Sequence, residues 1–534
     1  MITNWHIFAV KLLMVLSVLV LLQGFYGCAG DPSDQPFVRL QENEMIQSRI
    51  FNRAISYAVL LPENYNTLVD SFPVVYLLHG FGDEYNAWYK DGLIQYYYDQ
   101  SVAETGPMIF VMPQGFNSYY VNRYSGTLPY MDFFVTELVP EIDNRFRTRR
   151  DPSQRAVMGY SMGGYGALIL PAKNPEIFST GVPLSMSFRT DEQYMAEPQE
   201  VFDNQWGIIF GGSGISGESR LTNYFKEYSP FHFFQQNDVS QYAGLRIFLD
   251  CGDDEETLSV TSGALHNLMV EREISHEYRV RNGGHSWDYW HKSLPEALRF
   301  ISFGFRGLPY PEEPDPVDIG DLIPSEKYIR ETLTGSDLQL GIFKPSGYDT
   351  DTIRYPVIYF IHDFDGSIRT DNALKLFSLL NNRIKAGKIP SCLMVEIPAE
   401  PDRITAAIMA GIIDQIEAEY RIHSGKKGHV LAGNNRGGTL ASELIPGFNE
   451  RFKACFLFDA ELEAGARAME GIYYYIDMTD KSSNSHGNFD LYLDLREKGV
   501  KHEYRVRQGF PSFQSFLNGL DASTGYLSQQ LSGN

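Results

Sequence analysis

This chain has little with which to hold a metal, a phosphate group or a disulfide framework. Its 534 residues include only four cysteines and 12 histidines. No His-Glu-x-x-His, no paired Cys-x-x-Cys and no calcium loop occurs, so no metal centre is predicted. Glycine loops of the phosphate-cradling kind are also missing, and no cofactor is expected. Basic residues are scarce relative to acidic ones: 45 Lys and Arg against 67 Asp and Glu leave a net charge of −22, with a pI near 5.0. Such a field repels phosphate backbones, which excludes nucleic acid as an expected partner. Long apolar runs are missing too. The run Leu12–Leu22, preceded by Lys11, falls short of the roughly 20 residues that a spanning helix needs, but it suits the apolar centre of an export signal.

Residues 1–28 therefore read as a signal for export to the periplasm or cell surface. Small residues surround Cys28, and Phe25-Tyr26-Gly27-Cys28 resembles a bacterial lipobox, which implies lipidation of Cys28 and membrane contact through that anchor alone. Plain secretion and an uncleaved anchor are the alternatives. With Cys28 lipidated, Cys251, Cys392 and Cys455 remain, an odd number in apolar, strand-like settings. Buried free thiols are expected of them.

What is present is a globular composition, 43% hydrophobic and 14% aromatic, in a chain long enough for two cores. The second half repeats the first. His276-Glu277-Tyr278-Arg279-Val280-Arg281 recurs as His502-Glu503-Tyr504-Arg505-Val506-Arg507, and the following His285 falls opposite Pro511. Gly159-Tyr160-Ser161-Met162-Gly163-Gly164 recurs as Gly433-Asn434-Asn435-Arg436-Gly437-Gly438, so the glycines persist while Ser161 becomes Asn435. Leu77-Leu78-His79-Gly80 recurs as Phe360-Ile361-His362-Asp363. These losses at three distant places look like one lost function, while the glycines that shape the turn around Ser161 persist.

Strand-length apolar runs (Phe72 to Leu78, Pro107 to Met112, Arg155 to Gly159, Leu245 to Asp250, His276 to Val280) alternate with helical stretches such as Tyr130 to Phe146. This alternation predicts an α/β fold: two tandem units, each a mostly parallel sheet flanked by helices, the second degenerate. The predicted boundaries are a catalytic unit over 40–306, a proline-rich linker over 307–320 and the degenerate unit over 321–534. Ser161 to Asp250 spans 89 positions, whereas Asn435 to Asp477 spans 42, so the first unit carries an insertion, rich in aromatics between about 186 and 242. It reads either as a lid that forms a substrate pocket or as a small helical subdomain with its own core.

Gly159-Tyr160-Ser161-Met162-Gly163 follows an apolar strand and precedes a helix-like segment, the context of a nucleophile elbow. A serine hydroxyl needs a base to take its proton, and the base needs a carboxylate to orient it. His285, in Gly283-Gly284-His285-Ser286-Trp287, stands where that base is expected after the last strand. Asp253, Asp254 and Glu255 compete for the acid. Two amides are expected to hold the oxyanion: that of Met162, after the nucleophile, and that of Phe81, in the loop His79-Gly80-Phe81-Gly82. Gly80 permits close approach of backbone to substrate, and Tyr160 and Trp287 complete the expected substrate-binding set.

These pieces, with Val111-Met112-Pro113-Gln114-Gly115 and Asp250-Cys251-Gly252, resemble the esterase D and feruloyl esterase family of α/β-hydrolases, relatives of the acetylxylan and feruloyl esterases. The resemblance covers residues 45–305 and reaches 325–520 as a decayed copy. It implies serine esterase activity on acetyl or feruloyl type esters, with acylated carbohydrate or a small ester, such as a siderophore lactone, as substrate. Family spacing places the acid four residues after the cysteine, at Glu255, with Asp254 the alternative; relatives usually carry aspartate there. The aromatics of Tyr119 to Tyr124 and of the insertion are candidates to stack on a sugar ring or a phenolic acyl group. Two other readings of the C-terminal unit stand beside an inactive partner: a glycan- or partner-binding module, and a packing partner that stabilises the first unit.

Overall fold

The computed structural model describes residues 38–364, 369–400, 403–426 and 428–532, so Cys28 and the export signal lie outside the described residues. The N-terminal unit contributes eight strands: β1 (Leu40–Ser48), β2 (Arg53–Leu60), β3 (Val74–Leu78), β4 (Ile109–Pro113), β5 (Arg155–Tyr160), β6 (Thr180–Leu184), β7 (Arg246–Gly252) and β8 (Glu277–Arg281). They lie in the order β1-β2-β4-β3-β5-β6-β7-β8. From β4 to β8 neighbours run parallel, and β1 and β2 add an antiparallel edge. The residues of β3, β4 and β5 are buried throughout, as continuous apolar strands covered by helices on both faces must be. The predicted runs coincide with β3, β4, β5, β7 and β8. Three strands fall outside the predicted runs: β1, whose Leu-Gln-Glu-Asn-Glu-Met-Ile-Gln-Ser is largely polar, β2, and β6, whose Gly181 and Pro183 are poor strand formers.

The C-terminal unit repeats this plan: β9 (Tyr328–Thr332), β10 (Gln339–Phe343), β11 (Val357–His362), β12 (Leu393–Pro398), β13 (His429–Asn434), β14 (Ala454–Phe458), β15 (Tyr473–Thr479) and β16 (His502–Arg507). The two units do not form separate sheets. Strands β8 and β16 pair antiparallel through Val280 and Val506, which are equivalent residues of the repeat, and one sixteen-stranded sheet results. Its order reads the same from either end, so the join has the character of a two-fold interface within one chain.

Five helices matter below: α1 (Met162–Lys173), α2 (Glu256–Glu271), α3 (Trp287–Phe305), α4 (Arg436–Leu444) and α5 (Ser485–Glu497). The predicted helix from Tyr130 is continuous to Arg145, with Phe133, Phe134, Leu138 and Ile142 buried. In the insertion, Phe188, Tyr194, Phe202, Trp206, Phe210 and Phe225 are fully buried and pack on one another, Tyr194 and Phe225 with ring centroids 3.8 Å apart. They also pack on Tyr119 and Tyr165, with Trp206 4.9 Å from Tyr119 and Phe188 4.7 Å from Tyr165, so the insertion extends the core of the unit and is not a subdomain with a core of its own. The linker carries no helix or strand and is docked on the C-terminal unit, where Asn518 bonds Asp315 O and Val317 N. Cys251, Cys392 and Cys455 are buried free thiols, and burial pushes the Cys392 thiol up to about 12.

Candidate active site

The turn between β5 and α1 is tight enough to dictate its residue types. Ser161 has φ 58° and ψ −120°, a sparsely populated region for an L-residue, which costs on the order of 1–3 kcal/mol and is held by the strand and helix on either side. A Cβ on Gly159 would lie 2.3 Å from Gly163 O, and one on Gly163 would lie 2.2 Å from Leu78 O. The elbow therefore admits glycine at both positions, and it presents Ser161 at the carboxyl ends of the parallel strands.

Two further loops leave that edge. After β7 the chain turns through Asp253, Asp254 and Glu255, and the carboxylate of Glu255, 1% exposed, accepts a hydrogen bond from His285 Nδ1 at 2.7 Å through Oε2. Its Oε1 accepts from Gly252 N at 3.1 Å and from the Ser185 hydroxyl, and the Ser185 oxygen accepts from Trp290 Nε1 at 2.8 Å. A buried carboxylate with this many donors is fixed in orientation and can balance a charge on the ring. Asp254, the alternative acid, is exposed and makes no hydrogen bond to His285 among the described residues; Asp253 points into the junction with the C-terminal unit. Asp250 is buried in an ion pair with Arg281 and a bond from Ser293. His285 itself is 41% exposed, with its ring 5.1 Å from that of Trp290, whose indole lies 4.3 Å from Tyr160 beside the elbow. With Nδ1 engaged, Nε2 is the nitrogen left for chemistry; neither it nor Ser161 Oγ bonds another group among the described residues.

The loop after β3 is set by a buried histidine. His79 Nδ1 donates to Gly80 O at 2.8 Å and Nε2 accepts from Gly115 N at 2.8 Å, and burial lowers its pKa, so the ring is a neutral brace for the loop. Neither Phe81 N nor Met162 N donates to a backbone acceptor among the described residues, which suits both to an incoming oxyanion.

Several substrate-pocket expectations need correction. Tyr160 is 2% exposed, its hydroxyl donates to Asp83 at 2.6 Å, and its ring is wedged among Trp88, Trp287 and Trp290. It is a packing residue and offers a substrate no face. Gly80 is required by that packing, since a Cβ there would lie 2.7 Å from the Tyr160 ring. Trp287 is half-buried against the same rings. Tyr119 and Tyr120 are fully buried, while Tyr124 is 62% exposed and remains free to contact a ligand. Ser185 and Trp290 hold the acid yet escaped sequence reasoning; Ser185 carries no motif, whereas Trp290 lies only five residues past His285.

The C-terminal unit keeps the geometry and lacks the groups. Asn435 stands at φ 45° and ψ −122° between β13 and α4, nearly the conformation of Ser161. Ser482 follows β15 where Glu255 follows β7, and Pro511 replaces His285. Asp459 occupies the place of Ser185, and its carboxylate takes over the backbone bond that Glu255 makes in the first unit, accepting from Thr479 N at 2.7 Å. Burial pushes that carboxyl up to about 6 against this bond. Among the described residues, no cluster of His, Cys, Asp and Glu is placed to hold a metal ion.

A parallel sheet whose central strand turns into its helix through so strained a serine is that of an α/β hydrolase. Residues 48–301 match the Esterase family model, which supports an esterase assignment for the N-terminal unit. It is 36% identical over 119 residues to an esterase of Mycobacterium tuberculosis, a match covering 22% of this chain and 25% of that protein. It is 32% identical over 129 residues to an endo-1,4-beta-xylanase/feruloyl esterase of Xylanibacter ruminicola, covering 22% of this chain and 18% of that protein. The chain thus spans a quarter or less of these relatives. Among solved structures, a ferulic acid esterase aligns over 50% of this chain and all of its own, at 25% identity and a TM-score of 0.42.

Proposed function

We propose that the N-terminal unit is a serine carboxylesterase acting on acyl esters, of acetyl or feruloyl type, carried by carbohydrate. The observation that bears most weight is the buried Glu255 carboxylate on His285 Nδ1 at the edge where the elbow presents Ser161. In this reading Nε2 of His285 takes the proton of Ser161 Oγ as that oxygen adds to the ester carbonyl. The imidazolium so formed is balanced by Glu255, and the oxyanion is met by the amides of Met162 and Phe81. Collapse breaks the bond to the alcohol, which leaves with the proton returned by His285. Water then adds to the acyl-serine with His285 again as base, and the acid is released.

The name of the Xylanibacter relative supports carbohydrate-linked esters, and exposed Tyr124 offers a ring for an aromatic contact. Export, with lipidation of Cys28, is part of the same proposal and agrees with a substrate outside the cytosol. Replacement of Ser161 by alanine is the direct test, with nitrophenyl acetate and methyl ferulate as substrates. Loss of hydrolysis by about three orders of magnitude or more is expected; unchanged turnover would reject Ser161 as the nucleophile.

A further inference from the structure

The repeated segment His-Glu-Tyr-Arg-Val-Arg has no place in the esterase chemistry. Its two copies run antiparallel across the join as β8 and β16, and each sends an arginine into the acid loop of the other unit. The Arg505 guanidinium pairs with the Asp253 carboxylate, and Tyr504 N donates to the same carboxylate at 3.3 Å. Reciprocally, Arg279 pairs with Asp480 at 2.7 Å, and Tyr278 N donates to Asp480 at 3.1 Å.

Beyond this exchange the symmetry fails, and it fails at the active site. On the side of the first unit, α5 adds a second grip. Tyr492 Oη lies within hydrogen-bond distance of Asp253 O at 3.2 Å and of Ser259 Oγ at 2.8 Å, and Arg496 Nη1 reaches the same two oxygens at 3.4 and 2.8 Å. Phe489 packs so closely that a Cβ on Gly263 would lie 2.2 Å from its ring. On the other side, no residue of α2 donates to Asp480 O among the described residues, and the loop there carries Ser482 in place of an acid.

Glu255 lies between the two gripped points. It follows Asp253 by two residues, and its own carbonyl accepts from Ser259 N at 2.8 Å in the first turn of α2. Its place opposite His285 is thus set from both sides by side chains of the C-terminal unit. We propose that the C-terminal unit positions the acid of the first unit's triad, with Arg505, Tyr492 and Arg496 as positioning residues. The inference rests on reading Ser161, His285 and Glu255 as that triad. It gives the degenerate copy a part in hydrolysis without any chemistry of its own.

The test compares full-length variants. Arg505→Met and the double variant Tyr492→Phe/Arg496→Met remove grips on the active side, and Asp480→Asn removes the reciprocal one on the inactive side. For each, kcat, KM and the pH profile on nitrophenyl acetate are read beside the unfolding midpoint. The active-side variants are expected to lose about tenfold to a hundredfold in kcat with KM within about twofold, since a small misplacement of an orienting group acts on the chemical step. The acid limb of their profile moves to lower pH, because the imidazolium has lost support from Glu255. Asp480→Asn is expected to lower the midpoint with kcat and profile unchanged. Arg505→Lys, which retains a cation for Asp253, recovers part of the rate. Parental kcat and profile in the active-side variants, or an equal loss in Asp480→Asn, would overturn the proposal. Full activity of Glu255→Gln would instead refute the triad reading on which it rests, so the two failures are separable. Tyr492→Phe alone keeps the ring in place and reports on the grip if the double variant does not fold.

Discussion

At the residue scale, one carboxylate is separated from its neighbours by direction alone. Asp253, Asp254 and Glu255 are adjacent and chemically alike, yet only Glu255 turns inward to His285. Glu255→Gln is expected to reduce kcat by about two to four orders of magnitude, because a neutral amide no longer balances the imidazolium or fixes its tautomer. Asp254→Asn should leave kcat within about twofold, and steady-state kinetics on one ester separates the two. Tyr160→Phe removes the bond to Asp83 from a packed ring, so a lower unfolding midpoint with unchanged KM is expected, in contrast to a substrate-binding role. In the second unit, burial raises the Asp459 carboxyl from an ordinary value near 3.8 to about 6, so between those values the folded chain keeps a proton that the unfolded chain gives up. Its contribution to stability is full below that window and is lost as pH rises through it. Asp459→Asn removes this pH dependence and should stabilise the protein at pH 7 by roughly 1–3 kcal/mol, read from urea midpoints across pH.

At the scale of elements, the elbow exists twice and reacts once. Gly163 and Gly437 each sit so close to the preceding strand that a Cβ would lie 2.2 Å from a carbonyl oxygen, of Leu78 and Ile361 respectively. Gly163→Ala and Gly437→Ala are both expected to cost on the order of 1–3 kcal/mol through overpacking. Only Gly163→Ala should also abolish hydrolysis, since it alone displaces a nucleophile. Comparing denaturant midpoints with turnover for the pair checks this. The elbow was legible in the sequence because its glycines are required by sterics that act within a few residues. Strands β3, β4 and β5 were legible for a related reason, as buried parallel strands are largely apolar along their length. Strands β1 and β6 were not, because a polar edge strand and a strand containing glycine and proline take their form from the neighbours they pair with.

At the scale of the molecule, the continuous sheet makes each unit cover an edge of the other. Without residues 317–534, β8 would expose an unpaired strand edge, Asp253 would lose Arg505, and Arg279 would lose Asp480. Removing one partner from a buried pair costs roughly 3–5 kcal/mol, and a bare edge invites pairing with other chains. The truncated chain is therefore expected to leave the monomer peak and self-associate, as light scattering on a sizing column will report, whereas the full chain has that edge satisfied.

Local constraints determined what the sequence disclosed by itself: the turn that only glycine permits, the apolar strands, the histidine after a glycine pair and the copy that had lost these reactive groups. Each depends on atoms a few residues apart, or on the comparison of two stretches of the same chain. Tertiary structure decided between Glu255, which family spacing favoured, and Asp254, and it alone decided that Tyr119, Tyr120 and Tyr160 are packing and not pocket, and that two sheets are one. Those outcomes turn on where side chains 30 to 252 positions apart come to rest against each other, with His285 on Glu255 at one end of that range and Arg505 on Asp253 at the other.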